Sequence, residues 1–269
     1  MCNCHKTGPF DRRDPADAAS LLKPFIHLYH GGAVCETDKL GYPTPDNRSP
    51  LDLVLHAPDG FIPLWDRDVT LRFRFREQSL LPFRDPEAVK AYIRALFAEA
   101  LVGWGYAVPV RFQEVRERWD FEIVIRDQDN CNPAGCVLAS AFFPDAGQHE
   151  MVLYPRMFDQ SRDEQIETMA HELGHVFGLR HFFAQVSETA FPSEVFGRHD
   201  RFTIMNYGPD STLTETDRQD LYTLYQEVWS GTLDHVNGTP VQLMRPFSHF
   251  RPPLPVPARR DCAAQAVPV

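Results

Sequence analysis

The chain has 269 residues, 43% of them hydrophobic and 24% charged, a composition that builds a globular core of one large domain, with or without appendages. A balance of 27 basic against 37 acidic residues leaves a net charge of −10, which argues against nucleic acid or an anionic membrane as partner, since both call for a basic face. No apolar run reaches the length of a membrane span, and residues 1–20 lack the apolar stretch of a signal peptide, so the chain as written reads as cytoplasmic, unconventional secretion aside.

Residues 1–60 are rich in Pro, Gly and Asp, with one apolar patch at Leu21–Tyr29. They read as a weakly structured N-terminal extension that lies on the main domain or covers it. Strong periodicity starts at residues 68–76, where Val69, Leu71, Phe73 and Phe75 alternate with Thr and Arg, the pattern of a half-buried strand. Asp85 and Pro86 then open a helix as N-cap and first helical residue. Its stripe is Val89, Ile93, Leu96, Phe97 and Ala100, and Gly103 or Gly105 stops it. Strands follow at 110–115 and 120–127, a strand and turn at 135–145, and another strand at 149–155. Six cysteines are too few for a disulfide scaffold. Cys131 and Cys136, in CNPAGC, are close enough to bridge a short loop under oxidising conditions, with free thiols as the default reading.

The stretch SRDEQIETMAHELGHVFG begins with a capping box, Ser161 with Glu164. Ile166, Met169, Ala170, Leu173, Val176 and Phe177 form its apolar stripe, and Gly178 is its natural stop. After a long loop, residues 214–229 predict a third long helix, capped by Thr214. Residues 232–269 form a Pro-rich tail, expected to be irregular with polyproline character towards its end. The division is thus an extension (1–60), a main domain (61–231) and a tail (232–269). The order of strands and helices predicts an α+β or α/β domain with one mixed sheet.

The chemistry concentrates in HELGHVFGLRH, residues 171–181. Residues four apart share a helix face, so His171 and His175 present two imidazoles suited to one Zn²⁺. Glu172, one position along, is placed to act as a general base on a metal-bound water. Gly178 permits a left-handed exit from the helix, and the returning chain delivers His181 as third ligand. Three protein ligands leave a position open, the arrangement of catalytic zinc. The plain alternative is a helix that happens to carry histidines; five fixed positions on a predicted helix argue against it.

HExxHxxGxxH followed by a Met-turn is the metzincin signature, and this chain resembles the metzincin clan of zinc metalloendopeptidases. The second half of the signature is FTIMNYG, 202–208, with Met205 in the place of the Met-turn methionine. The resemblance implies that Met205 forms a hydrophobic floor beneath the histidines. Tyr207 matches the tyrosine of serralysin- and astacin-like branches, which implies a phenol that ligates zinc at rest and stabilises the oxyanion. A second resemblance is to the matrixins. Residues 135–144, GCVLASAFFP, look like their Gly-x-x-Leu-Ala-His-Ala-Phe-x-Pro strand, which places Leu138, Ala139, Ser140 and Ala141 on the cleft rim where an extended substrate pairs.

Here the chain departs from the family. Ser140 stands where matrixins carry a histidine ligand of a structural zinc, and no His-x-Asp pair lies upstream, so no structural zinc of that type is expected; His149, alone, reads as a surface or satisfied residue. The spacer from His181 to Met205 is 24 residues, nearer the serralysins. No Gly/Asp calcium repeat follows, and calcium is left open. The resemblance spans roughly residues 62–230 and implies an endopeptidase acting on extended protein or peptide substrates. Latency in the clan makes Cys2, Cys4 and Cys35 candidates for autoinhibition by the N-terminal segment, although none sits in a Pro-Arg-Cys-Gly switch. His199 reads as a surface residue. The competing class is a non-catalytic zinc-binding recognition module on the same fold. Glu172 favours the enzyme, because a module that only binds has no need of a base.

Overall fold

A computed structural model describes residues 9–10, 53–57, 59–132, 135–181, 193–196, 203–205 and 212–250. The first strand, β1 (Leu53–His56), falls inside the stretch expected to be weakly structured. Its partner explains the difference: β1 pairs antiparallel with β10 (Ser193–Phe196), a segment of the long loop after the third histidine. Such a pairing between remote stretches leaves no periodicity in a short window. Next come β2 (Ile62–Trp65), buried throughout, and β3 (Thr70–Phe75), whose inward Leu71, Phe73 and Phe75 alternate with Thr70, Arg72 and Arg74. Helix α1 (Pro86–Trp104) starts as its sequence predicts, with the Asp85 carboxylate accepting from the Ala88 N–H. It runs through Gly103 and stops at Gly105, held at φ 54°.

Strands β4 (Arg111–Glu114) and β5 (Phe121–Ile125) follow. All of β5 is buried, including Glu122, whose carboxylate is shared by Arg74 at 2.9 Å and Arg76 at 2.5 Å. A buried carboxylate is tolerable only with such partners. The hairpin β6 (Asn130–Asn132) and β7 (Gly135–Val137) places Cys131 directly opposite Cys136, and the two are joined as a disulfide. The bridge, rather than the default free thiols, is therefore what the fold adopts. Then come β8 (Ala139–Ser140), β9 (His149–Leu153), helix α2 (Arg162–Val176) and helix α3 (Glu215–Ser230).

The region expected to be irregular after Gly231 is ordered as far as Phe250. Asn237 and Gly238, both at positive φ (51° and 88°), turn β11 (His235–Val236) into β12 (Thr239–Met244). Asn-Gly is the preferred pair for such a tight hairpin, a local signal outweighed by the proline-rich composition further on. β12 then pairs in parallel with β2.

The main sheet has the order β4-β3-β5-β9-β8, parallel except for β8, which runs antiparallel at one edge. This is the α+β architecture with a mixed sheet and an antiparallel edge strand. Its inner face and the long helices α1, α2 and α3 enclose one continuous core, including Phe73, Ile93, Leu96, Phe121, Met151, Leu173 and Leu224. Each such side chain contributes about 1.5–3 kcal/mol of burial. Among the described residues, no helix is long and apolar enough to cross a membrane.

Candidate metal centre

Helix α2 opens with the full capping box: Ser161 accepts from the Glu164 N–H, and Glu164 reaches back to the Ser161 N–H. Its other end is a Schellman turn. The Gly178 N–H donates to the His175 carbonyl and the Leu179 N–H to the Gly174 carbonyl, both at 2.9 Å. Gly178 sits at φ 95°, and a Cβ there would meet Leu64 Cδ2 at 3.0 Å and the Pro63 carbonyl at 3.3 Å. Both the backbone conformation and the space require glycine. The turn carries the chain back so that His181 joins His171 and His175. The ring centroids of His171 are 4.9 Å from His175 and 5.1 Å from His181, and the latter two are 4.8 Å apart. All three rings are buried.

Two of the rings are oriented from behind. His171 Nδ1 lies 2.7 Å from the Ile204 carbonyl, and His175 Nδ1 lies 2.8 Å from the Leu179 carbonyl. A carbonyl only accepts, so each Nδ1 carries the proton and each Nε2 keeps its lone pair, the form a metal needs. His171 Nε2 and His181 Nε2 are 3.1 Å apart; two nitrogens at zinc–nitrogen distance from one tetrahedral ion are separated by about 3.3 Å. The donor set and its spacing fit Zn²⁺. Among the described residues, this trio is the group of His, Cys, Asp and Glu side chains whose ligand atoms converge, all within 4.8 Å of one another. Glu172, between the two helical histidines, is 3% exposed.

The turn Thr203–Met205 closes the site from below. Ile204 supplies the carbonyl that orients His171, and Met205, 2% exposed, packs its sulfur where a Cβ of Gly174 would stand. Gly174 is thus the small residue that lets the methionine reach the underside of the helix. Thr203 donates to one carboxylate oxygen of Asp217, whose other oxygen accepts from the Thr214 N–H and hydroxyl in the capping box of α3. The start of α3 and the turn are therefore held by one side chain. In a solvent-facing helix, Gly174→Ala would stabilise by about 0.5–1 kcal/mol. Here the added methyl overlaps Met205, and we expect net destabilisation of about 1–3 kcal/mol, read by denaturant unfolding, with part recovered in a chain that also carries Met205→Ala.

Sequence reasoning passed over three aromatic residues that hold α2 in place. Trp65 Nε1 donates to the Val176 carbonyl at 2.7 Å, and the Tyr225 hydroxyl to the Phe177 carbonyl at 3.0 Å. These are carbonyls at the helix end that have no helical partner. Trp104 Nε1 donates to the Ala170 carbonyl at 2.9 Å. Full burial raises the Tyr225 pKa far above its ordinary value, partly opposed by the Trp65 N–H, so it stays a donor. The one available signal was that a buried Trp or Tyr must find a partner for its polar end.

The other expected residues fall as follows. Ala139 and Ser140 form the edge strand β8, with Leu138 and Ala141 half-buried on either side of it. His149, expected to be a surface or satisfied residue, is half-buried: its ring stacks on Phe142 at 4.6 Å, and burial lowers its pKa against the fields of Asp145 and Asp120. Tyr207, His199, Cys2, Cys4 and Cys35 lie outside the described residues.

The profile of the matrixin family matches residues 65–226, a span that contains the whole of α2, the histidine trio and the Met205 turn. The chain belongs to the matrixin family. A matrixin is a zinc metalloprotease of the metzincin type, so the fold, the ion and the class of chemistry follow at family level. Stromelysin-3 of Mus musculus is 32% identical over 106 residues, which cover 35% of this chain and 22% of that protein. Stromelysin-3 of Homo sapiens matches with the same identity and coverage. This matrixin thus aligns with less than a quarter of either relative's length. Among solved structures, two of myroilysin are similar, each with a TM-score of 0.42. One has 15% identity and covers 64% of this chain and 98% of the other; the second has 14% identity and covers 69% and 99%.

Proposed function

We propose that this matrixin is an endopeptidase that hydrolyses peptide bonds in extended protein or peptide segments, with His171, His175 and His181 holding one catalytic zinc ion and Glu172 acting as general base. The observation that carries the reading is the joint placement of two carbonyl-oriented imidazoles and a buried carboxylate on one turn of α2, with His181 returned beside them by Gly178. Zinc in such a site supplies Lewis acidity, polarising a carbonyl and making water a competent nucleophile near neutral pH. Glu172 accepts the proton of the attacking water and passes it to the departing amine. The Ile204 and Leu179 carbonyls keep two ligand rings in one tautomer and orientation through the cycle. Met205 provides the floor, and the Tyr207 phenol donates to the oxyanion. The substrate lies along β8 as an added strand, since that strand is an edge of the main sheet among the described residues. With Ser140 in place of a ligand histidine, the reading includes no second, structural zinc.

The test is elemental analysis and proteolysis on the full chain. We expect one zinc per chain and cleavage of casein, abolished by 1,10-phenanthroline and restored by added zinc. A chain that binds one zinc and cleaves no protein substrate would instead support the recognition module.

A further inference from the structure

A pocket of about 470 Å³ lies at the start of β3, against the C-terminal turn at 246–249, and takes no part in the metal centre. Its lining is dominated by guanidiniums, those of Arg67, Arg72, Arg118 and Arg245, beside His249 and against Asp66 and Asp68. That is a local excess of positive charge on a chain whose net charge is −10. The two carboxylates are already engaged. Arg245 Nε donates to Asp66 at 2.8 Å, and Asp68 faces Arg111 at 3.9 Å. Among the described residues, the Arg67 and Arg72 guanidiniums have no carboxylate partner, and Arg118 donates only to the carbonyls of Ser248 (3.2 Å) and Phe250 (3.3 Å).

The wall is built, not incidental. Asp120, 2% exposed, accepts from the Ser248 N–H at 2.6 Å, the Ser248 hydroxyl at 2.9 Å and the Arg72 N–H at 2.7 Å. This fixes the turn against β3, and both Arg72 and Arg118 line the concavity so formed. Arg118 is held at φ 55°, a left-handed backbone conformation that a non-glycine residue adopts only where its surroundings fix it. Arg245 also donates to His249 Nε2 at 3.1 Å, so that ring carries its proton on Nδ1. The segment 245–249 lies beyond the matrixin match, which ends at 226; the family domain by itself does not make this pocket.

Three guanidiniums without carboxylates, gathered in a preformed concavity, repel one another unless an anion joins them. Their planar forks match the oxygens of phosphate or sulfate. We propose that this pocket is a binding site for a tetrahedral oxyanion, phosphate or sulfate, as a free ion or as an ester group on a polymer. Arg72 and Arg118 grip the anion, Arg67 closes over it from the exposed rim, and the Asp66–Arg245–His249 chain holds the far wall. The site does not rest on the peptidase reading.

The experiment is a calorimetric titration of the full chain at low ionic strength with inorganic phosphate, inorganic sulfate and a sulfated polysaccharide. We expect saturable binding by the wild-type chain. It should weaken at least about tenfold in Arg72→Gln/Arg118→Gln and by a smaller factor in Arg67→Gln, which removes an exposed side chain that supports nothing else. Zinc content and casein cleavage should be the same in all three proteins. Tighter binding of the polysaccharide than of inorganic sulfate, lost in the variants, assigns the group to a polymer; equal affinity assigns a free ion. Absence of saturable binding by the wild type, or equal binding by wild type and Arg67→Gln, overturns the proposal, whether or not the double variant folds.

Discussion

Glu172→Gln is expected to lower kcat on casein or a peptide substrate by about 10²–10⁴-fold, the range for loss of a positioned general base. Zinc content should remain at one ion per chain, because the side chain keeps its size and His171 and His175 keep the carbonyls that orient them. Glu172 is buried at 3% exposure between two oriented imidazoles, where a carboxylate is costly unless it is used or partnered. An amide of the same shape cannot take the proton. Active-site titration with a chelator-displaceable inhibitor separates loss of chemistry from loss of fold. Full activity in Glu172→Gln would remove the residue from the mechanism, and loss of zinc together with activity would make it a structural support instead.

Gly178→Ala is expected to destabilise the fold by about 2–3 kcal/mol and to weaken zinc binding by about 10–100-fold. Two costs add. A residue with a Cβ resists φ of 95°, and the new methyl is pressed against Leu64 Cδ2 and the Pro63 carbonyl of β2. Relief comes by opening the turn, and the turn holds both the Leu179 carbonyl that orients His175 and the return path to His181. Denaturant unfolding with and without zinc would read the two effects together: the stability difference between Gly178→Ala and wild type should widen when zinc is present. Unchanged affinity in a destabilised protein would show that Gly178 serves the fold and not the ligand.

The contrast between α2 and its surroundings shows how much of this was legible. The capping box at Ser161, the two histidines four apart and the stop at Gly178 are all relations within a few residues, where helix geometry alone converts spacing into position. The same holds for Asp85 and Thr214 as caps and for the alternation in β3. The rest depends on partners far away in the chain. Ile204 is 33 residues from the histidine it orients, Tyr225 is 48 from the carbonyl it caps, and Trp65 is 111 from its own. No periodicity encodes such pairs, and buried aromatic side chains look alike in sequence whether or not their polar ends meet a helix terminus. Strand β1 was missed for the same reason. The hairpin at Asn237-Gly238 is a different case, since its turn signal was present and was outweighed by the composition of the tail.

By itself, then, the sequence determined which residue types stand at which helical spacing: two imidazoles and a carboxylate on one turn, a glycine where the chain must reverse, and a methionine in a following loop. Only the tertiary structure decided what makes these a metal centre. It aims carbonyls at His171 and His175 so that each Nε2 is free of its proton, seats Met205 against Gly174, ties Thr203 to Asp217, and folds residues 245–249 back to wall a second, cationic pocket. The reason is physical: helix caps and face positions are settled by local backbone geometry, while ring tautomers, close packing and pocket walls are settled by whichever distant group the fold brings to the unsatisfied atom.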